Sequence, residues 1–440
     1  MPEIKIDKVH QQFDTVPYPL VPLDKSPRND INSLFINSIT SSNYLRNQTS
    51  IEPEGKLILD AGCGTGYKSL ALAEANPGAK IIGIDLSQQS VDVAQQRLHH
   101  HGFSNAEFFA MPLEQLSSLG LAFDYINCDD TLYFLPDPLA GLKAMQSVLQ
   151  PTGIIRANLH SVYQRSHYYR AQKLSNFLGL MDDAPGPTET STIRELMSAL
   201  KNDVSLKANV WMPNLDVVMD DEFLAQNFLL QGDKGSTISE MFELIEAADL
   251  EFINMVNWKY WDILHLFKDR QNIPDYLNMV LAISSPQERL YLYELLHPTH
   301  RLLDFWCGHV GQSQQFTPVI DWDEPDWENA KAYIHPQLKN QTIKSELDRS
   351  ISMLAPFEIT DFLNVTSIDP ISLFGVSAIC LNLLWDRPLT VTKLAQQWLQ
   401  IKPLNWVTKE PLSESEAFQQ IWQVLIELEH FMFVLLETKN

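Results

Sequence analysis

The chain has 440 residues, enough for two or three domains at about 150 residues each. Hydrophobic residues make up 45% and charged residues 20%, ordinary globular proportions that exclude global disorder and a coiled-coil rod. Against 32 Lys and Arg stand 55 Asp and Glu, and the net charge of -23 repels a phosphate backbone, so no nucleic acid partner is expected.

The N-terminus lacks an apolar leader, and no later run reaches the roughly 18 apolar residues that span a bilayer, so no membrane partner is expected either. Cys63, Cys128, Cys307 and Cys380 lie far apart without metal-ligand spacing. They read as reduced thiols of a cytoplasmic protein with no metal site. Residues 1–50, with their proline-rich lead, read as an N-terminal strap.

From residue 56 to about 160, short apolar runs alternate with amphipathic stretches. Strands are expected at 57–59, 80–84, 107–109, 123–127 and 153–157, with helices at 67–74, 88–98 and 138–149 between them. Strand then helix, repeated, argues for a parallel sheet covered by helices on both faces. His99, His100 and His101 close the second helix, where cations suit the dipole better than a metal site would.

Residues 161–234 break the rhythm with helices at 168–181 and 193–200, the second opened by the capping box Thr192-x-x-Glu195. Thr237-x-x-Glu240 opens another helix, and residues 251–256 read as a strand, so the sheet resumes after an insertion. Leaving after the fifth strand, the insertion is placed to cap a ligand at the carboxyl edge of the sheet. Its Tyr163, Tyr168, Tyr169 and Trp211 are candidates to wall that ligand. From 275 onward the chain reads as mostly helical. Trp322 and Trp327 in the acidic loop 321–327 read as anchoring aromatics, and helices at 371–385, 391–399 and 414–428 before a strand at 431–435 outline a winged helix. Lys393 is the one cation on its second helix, a poor complement to DNA.

The strongest signal is Leu57-Ile58-Leu59-Asp60-Ala61-Gly62-Cys63-Gly64-Thr65-Gly66, an apolar strand entering a glycine turn before a helix. Its GxGxG spacing, with an acid two residues ahead, differs from the GxGxxG of dinucleotide sites, and Asp60 suits an ammonium group better than a pyrophosphate. Asp85, about 20 residues beyond, suits ribose hydroxyls. The residues thus describe a ligand with a ribose and an amine but no diphosphate.

These motifs resemble class I S-adenosylmethionine (SAM) dependent methyltransferases. The resemblance implies a Rossmann-like α/β sheet, SAM as cofactor, Asp60, Gly62, Gly64 and Gly66 at its methionine end, and Asp85 with Leu86 at its ribose. Where many relatives carry an adenine-binding Asp, this chain has Ala110. The Met111 backbone and Leu113 side chain are expected to hold the adenine instead. The lead Phe13-Asp14-Thr15-Val16-Pro17-Tyr18 and the stretches 285–289 and 301–307 look like the group that carries a C-terminal methyltransferase regulatory domain. The domains then read as a strap at 1–50, a SAM-binding domain at 51–262 with a helical lid at 161–234, and a helical, winged-helix-like regulatory or substrate domain at 275–440.

Acceptor chemistry is expected from His160, Asp129 and Asp130, which follow strands five and four, and from Tyr18 folding back over the cofactor. His160 suits proton removal and either acid suits a cationic amine. The plainer readings are a hydrogen-bonded structural histidine, loop-capping acids and a packed strap. The acceptor is expected to be a protein or peptide side-chain amine, with a small-metabolite nitrogen or oxygen as the alternative. A SAM-binding regulatory or scaffold protein without turnover is the rival of another class.

Overall fold

A computed structural model describes residues 19, 21–211, 220–270, 272–405 and 407–438. Eight strands of the described residues form the main sheet: β1 (Leu57–Ala61), β2 (Lys80–Asp85), β3 (Glu107–Ala110), β4 (Phe123–Cys128), β5 (Leu149–Ser161), β6 (Gly235–Ser236), β7 (Leu250–Met255) and β8 (Leu302–His309). Their order is β3-β2-β1-β4-β5-β8-β7, with the two-residue β6 paired to β5. β1 to β5 run parallel, as expected, while β8 is antiparallel to both of its neighbours.

Alternation along the strands decides which face each residue feeds. Ile58, Ile81, Tyr125 and Ile154 enter one core, whereas their neighbours Leu59, Ile82, Ile126 and Ile155 enter the other. Burial on both faces accounts for the near-continuous apolar runs that mark these strands in the sequence.

β8 is the main departure from expectation. It lies in the stretch assigned above to the C-terminal domain, yet its Leu303, Phe305 and Cys307 share the core of Leu59 and Ile82. The sheet therefore extends to His309, and the boundary at 275 is corrected to a point beyond it. Leu302–His309 is a short, mostly apolar run buried on both faces, with Leu303, Phe305 and Cys307 in one core and Trp306 in the other, so it has no polar alternation to mark it as a strand among helices.

The N-terminal residues also differ from a strap. Helices α1 (Ile31–Ile36) and α2 (Ile39–Asn47) place Ile31, Phe35 and Tyr44 in the C-terminal core and Ile39 in a core of the sheet. Tyr44 donates to Glu429 at 3.0 Å and Ser41 bonds His335 at 3.0 Å, so α2 joins the two halves. In the C-terminal part, helices Val376–Leu383, Val391–Ile401 and Glu414–His430 accompany a three-stranded antiparallel sheet whose centre is Lys331–Ile334. This is the winged-helix-like outline, and Trp322 and Trp327 are buried anchors in its core.

Along the sheet, helices α3 (Tyr67–Ala75), α4 (Gln88–His100) and α5 (Pro138–Ser147) follow β1, β2 and β4. The insertion contains α6 (Ser166–Phe177), α7 (Pro187–Ala199), α8 (Ser205–Val210) and α9 (Asp221–Phe228), packed around their own core of Ile193, Met197, Val210, Leu224 and Phe228. α7 starts at Pro187, six residues before its expected start. Proline at the first helical position and Glu189 accepting from Gly186 N at 2.8 Å make the earlier N-terminus, and the Thr192 box falls inside the helix. α10 (Ile238–Ala247) starts where expected, with Thr237 and Glu240 capping each other reciprocally.

Candidate active site

A cavity of about 570 Å³ opens at the carboxyl ends of β1, β2, β4 and β5 and extends beneath the insertion. One end is walled by Gly62, Gly64, Asp85, Leu86, Met111 and Leu113, six of the residues singled out from sequence. The other end brings together Asp130, Tyr133, His160, Arg165, Tyr168 and Arg301.

The first end is built by tight backbone turns. Gly62 and Gly64 lie at positive φ on the wall, and Asp85 accepts from Gly64 N at 2.9 Å and from Ser87 N at 3.0 Å. The carboxylate thus clamps the glycine turn to the end of β2. A Cβ at Gly62 would collide with the Thr131 side chain, so the cradle exists because side chains are missing from it. An adenosyl group fits this set: bare backbone, one carboxylate for hydroxyls, and the apolar Met111 and Leu113. Glu114, Ser87 and Ser90 also reach this wall, unanticipated from sequence.

Asp60 and Gly66 stand elsewhere. Asp60 is 1% exposed and accepts from Ser69 Oγ at 2.5 Å and from Asn127 Nδ2 at 2.9 Å, and burial pushes its carboxyl up to about 6. It braces β1 against α3 and β4, and it is not among the wall residues. Gly66 opens α3 where a Cβ would stand 2.7 Å from Ala94 Cα, which makes it a helix-packing glycine. Met111 N donates to the Asp85 carbonyl at 2.8 Å, so that amide is already used.

Asp129 and Asp130 part company. Asp129 turns inward, 2.6 Å from Lys68 and 3.6 Å from Arg156, and accepts from Asn158 at 2.5 Å. Burial alone would raise its pKa, but Arg156 and Lys68 hold it well below the usual carboxylate range. The expectation that Asp129 serves the acceptor is corrected: it is spent on the buried Arg156 and the partly exposed Lys68. Asp130 adopts φ 51°, outside the ordinary range for a non-glycine residue, and this turns its side chain to the cavity wall. There it accepts from Tyr133 Oη at 2.9 Å and Arg301 Nη2 at 3.1 Å.

His160, at the end of β5, is the centre of the second end. Its Nδ1 lies 2.6 Å from Asp233, a carboxylate 73 residues away whose side chain is fully buried, and its ring stacks on Tyr133 at 3.8 Å. Arg301 Nη1 donates to Nε2 at 2.9 Å. Because guanidinium only donates, Nε2 carries the lone pair and Nδ1 carries the proton given to Asp233. Burial lowers the His160 pKa, with Asp233 opposing the shift. Asp233 is itself desolvated, yet the His160 hydrogen bond and Arg165 at 3.0 Å hold it low. Neither Asp233 nor Arg301 carries a local sequence signal, because each meets His160 only through the sheet and the insertion.

Of the insertion's expected wall residues, only Tyr168 lines the cavity. Trp211 fills the insertion's own core, Tyr163 is 43% exposed, and Tyr169 packs beside Arg165. Phe223, Gln226, Asn227 and Leu230 wall the cavity instead. Tyr18 lies outside the described residues, but the neighbouring Pro19 carbonyl accepts from Thr65 Oγ1 at 2.7 Å, beside the glycine turn. Among the described residues no group of His, Cys, Asp and Glu could hold a metal, and no helix is long and apolar enough to cross a membrane.

Comparison with known proteins bears on the fold and the cofactor. Residues 53–211 match a methyltransferase domain family. An uncharacterized protein of Synechococcus is 26% identical over 74% of this chain and 76% of its own. The ubiquinone biosynthesis O-methyltransferase of Acinetobacter baylyi is 33% identical over 22% of this chain, and the match spans 41% of that enzyme, less than half its length. Among solved structures, PKMT2 of Rickettsia typhi superposes with a TM-score of 0.59 over 94% of this chain and 77% of its own at 14% identity, a likeness of fold. The same protein in complex with AdoHcy gives 0.57 at 15%, over 96% and 78%.

Proposed function

We propose that this chain, a class I SAM-dependent methyltransferase, methylates a hydroxyl of a small molecule held under the helical insertion, with His160 as general base. The cofactor supplies a methyl group already activated on a sulfonium, so the protein has to align, shield and deprotonate the acceptor. Gly62, Gly64, Asp85, Met111 and Leu113 would hold the cofactor. Tyr168, Phe223 and Leu230 would exclude water over the acceptor. As the acceptor oxygen gains the methyl, its proton passes to His160 Nε2, and Asp233 steadies the imidazolium through Nδ1.

The observation that carries this reading is the His160–Asp233 pair, 2.6 Å apart, in a histidine that lines the cavity and whose Nε2 meets Arg301, a second lining residue, at 2.9 Å. The rival acceptor, a protein or peptide amine, needs an acid free to hold a cation. Around His160, Asp130 is paired with Arg301, Asp129 with Lys68 and Arg156, and Asp233 with His160 and Arg165, which leaves Glu114, on the cofactor wall, as the acid an amine would have to use. A cytoplasmic location and a regulatory role for the C-terminal part belong to this proposal as well.

The test is transfer of labelled methyl from SAM into lysate, separated into macromolecular and small-molecule pools; label confined to the macromolecular pool overturns the small-molecule reading. For the acceptor so identified, His160→Gln is expected to lower kcat by about a hundredfold or more with AdoHcy affinity unchanged. In the wild type, kcat/KM should fall with decreasing pH through the pKa of His160. Burial lowers that pKa, so the acid limb lies below the ordinary histidine range, and it should vanish in His160→Gln.

A companion measurement addresses the cofactor end. Asp85→Ala is expected to weaken AdoHcy about tenfold by calorimetry, because the substitution removes both a hydroxyl partner and the clamp on Gly64 and Ser87. Unchanged affinity would remove Asp85 from the cofactor site.

A further inference from the structure

His160 cannot take a proton while Arg301 holds its lone pair. The guanidinium donates to Nε2 at 2.9 Å and, through its other arm, to Asp130 at 3.1 Å. Arg301 precedes β8, and its carbonyl accepts from Ser161 N at 2.9 Å, so its backbone is fixed to β5 beside the base. The side chain is 45% exposed and can move without disturbing the sheet. Something that enters with the acceptor must therefore offer Nη1 a better partner than an imidazole nitrogen. A carboxylate does so, since a guanidinium–carboxylate hydrogen bond is charged on both sides.

We infer that Arg301 is the anion-binding and specificity-determining residue of the acceptor site, and that the acceptor is a hydroxy acid whose carboxylate takes Nη1 of Arg301 and so releases His160 for the adjacent hydroxyl. This rests on the reading of His160 as the base. Methylation of the wrong molecule is then prevented at the base: a neutral alcohol in the cavity leaves Nε2 capped.

Charge around His160 admits an anion: Arg165 and Arg301 are balanced by Asp130 and Asp233, so an acceptor carboxylate meets no net negative charge from these four groups. The remaining wall, Phe134, Leu135, Tyr168, Phe223 and Leu230, suits an apolar body attached to that carboxylate.

Benzoate and benzamide, alike in shape but not in charge, test this with the full chain loaded with AdoHcy. Benzoate is expected to bind about tenfold more tightly than benzamide to the wild type, with the preference lost in Arg301→Gln. Benzoate should also shift the 15N resonance of His160 Nε2 as the guanidinium leaves, and benzamide should not. Equal affinities in the wild type, a preference that survives Arg301→Gln, or benzoate binding without a His160 shift would each overturn the inference. The wild-type comparisons stand even if Arg301→Gln folds poorly. These readouts need no turnover, so they are separable from the base itself: retained transfer in His160→Gln would sink the base while leaving an anion site at Arg301 measurable.

Discussion

Replacing residues 166–228 by a short loop is expected to abolish methyl transfer, by about a thousandfold or more, while AdoHcy affinity changes by less than about threefold. The insertion can be excised cleanly because its ends are neighbours: His160 pairs with Gly235 across β5 and β6, and Val162 N donates to the Ser236 carbonyl at 3.0 Å. Its helices bury Ile193, Met197 and Phe228 against one another, so little of the sheet core is exposed by their removal. Keeping Arg165 and Asp233 retains the ion pair behind His160. What is lost is the wall of Tyr168, Phe223, Gln226 and Asn227 over the acceptor end, and with it the exclusion of water. The residues assigned to the cofactor, Gly62, Gly64, Asp85, Leu86, Met111 and Leu113, all lie outside the insertion. Transfer and AdoHcy binding measured on the same preparation decide the matter. Retained transfer to the native acceptor would show that the acceptor pocket lies elsewhere.

Why this site was half visible in the sequence follows from the range of the interactions that build it. The glycine turn and Asp85 are local features: five residues of turn and a strand end, each requiring a particular residue type at a particular spacing. The Asp129-Asp130 pair is local too, but its sequence cannot say which acid faces the cavity. That is decided by the positive φ of Asp130 and by Lys68 and Arg156, which draw Asp129 inward. Asp233 and Arg301 reach His160 across 73 and 141 residues, and no spacing announces them. The fold shows the same division. Alternating apolar runs exposed β1 to β5, whereas β8 lay hidden among helices and enters the sheet only because β5 and β7 each present an unpaired edge to it. Helices α1 and α2 were missed because neither half explains their apolar residues alone. Phe35 and Tyr44 serve the C-terminal core, Ile39 a core of the sheet, and buried Arg46 donates to the Gly153 and His309 carbonyls at 3.2 and 3.1 Å.

Gly62→Val is expected to eliminate AdoHcy binding, a loss of about a hundredfold or more, with the chain still folded. Two costs fall at one place. The residue sits at φ 84°, where a β-branched side chain is strained, and its Cβ would overlap the Thr131 hydroxyl. Thr131 lies on the cavity wall, so any relief moves a side chain into the space the ligand needs. Gly66→Val supplies the contrast. Its φ of 81° imposes the same backbone strain, but its Cβ would meet Ala94 Cα at 2.7 Å, and the backbone of α4 cannot rotate away. The cost there falls on α3–α4 packing, so Gly66→Val should lower the melting temperature more than Gly62→Val does. Calorimetric affinity and thermal unfolding measured on both variants separate the two roles. If Gly62→Val binds AdoHcy as the wild type does, the glycine turn does not form the cofactor cradle, and the GxGxG spacing reflects chain reversal alone.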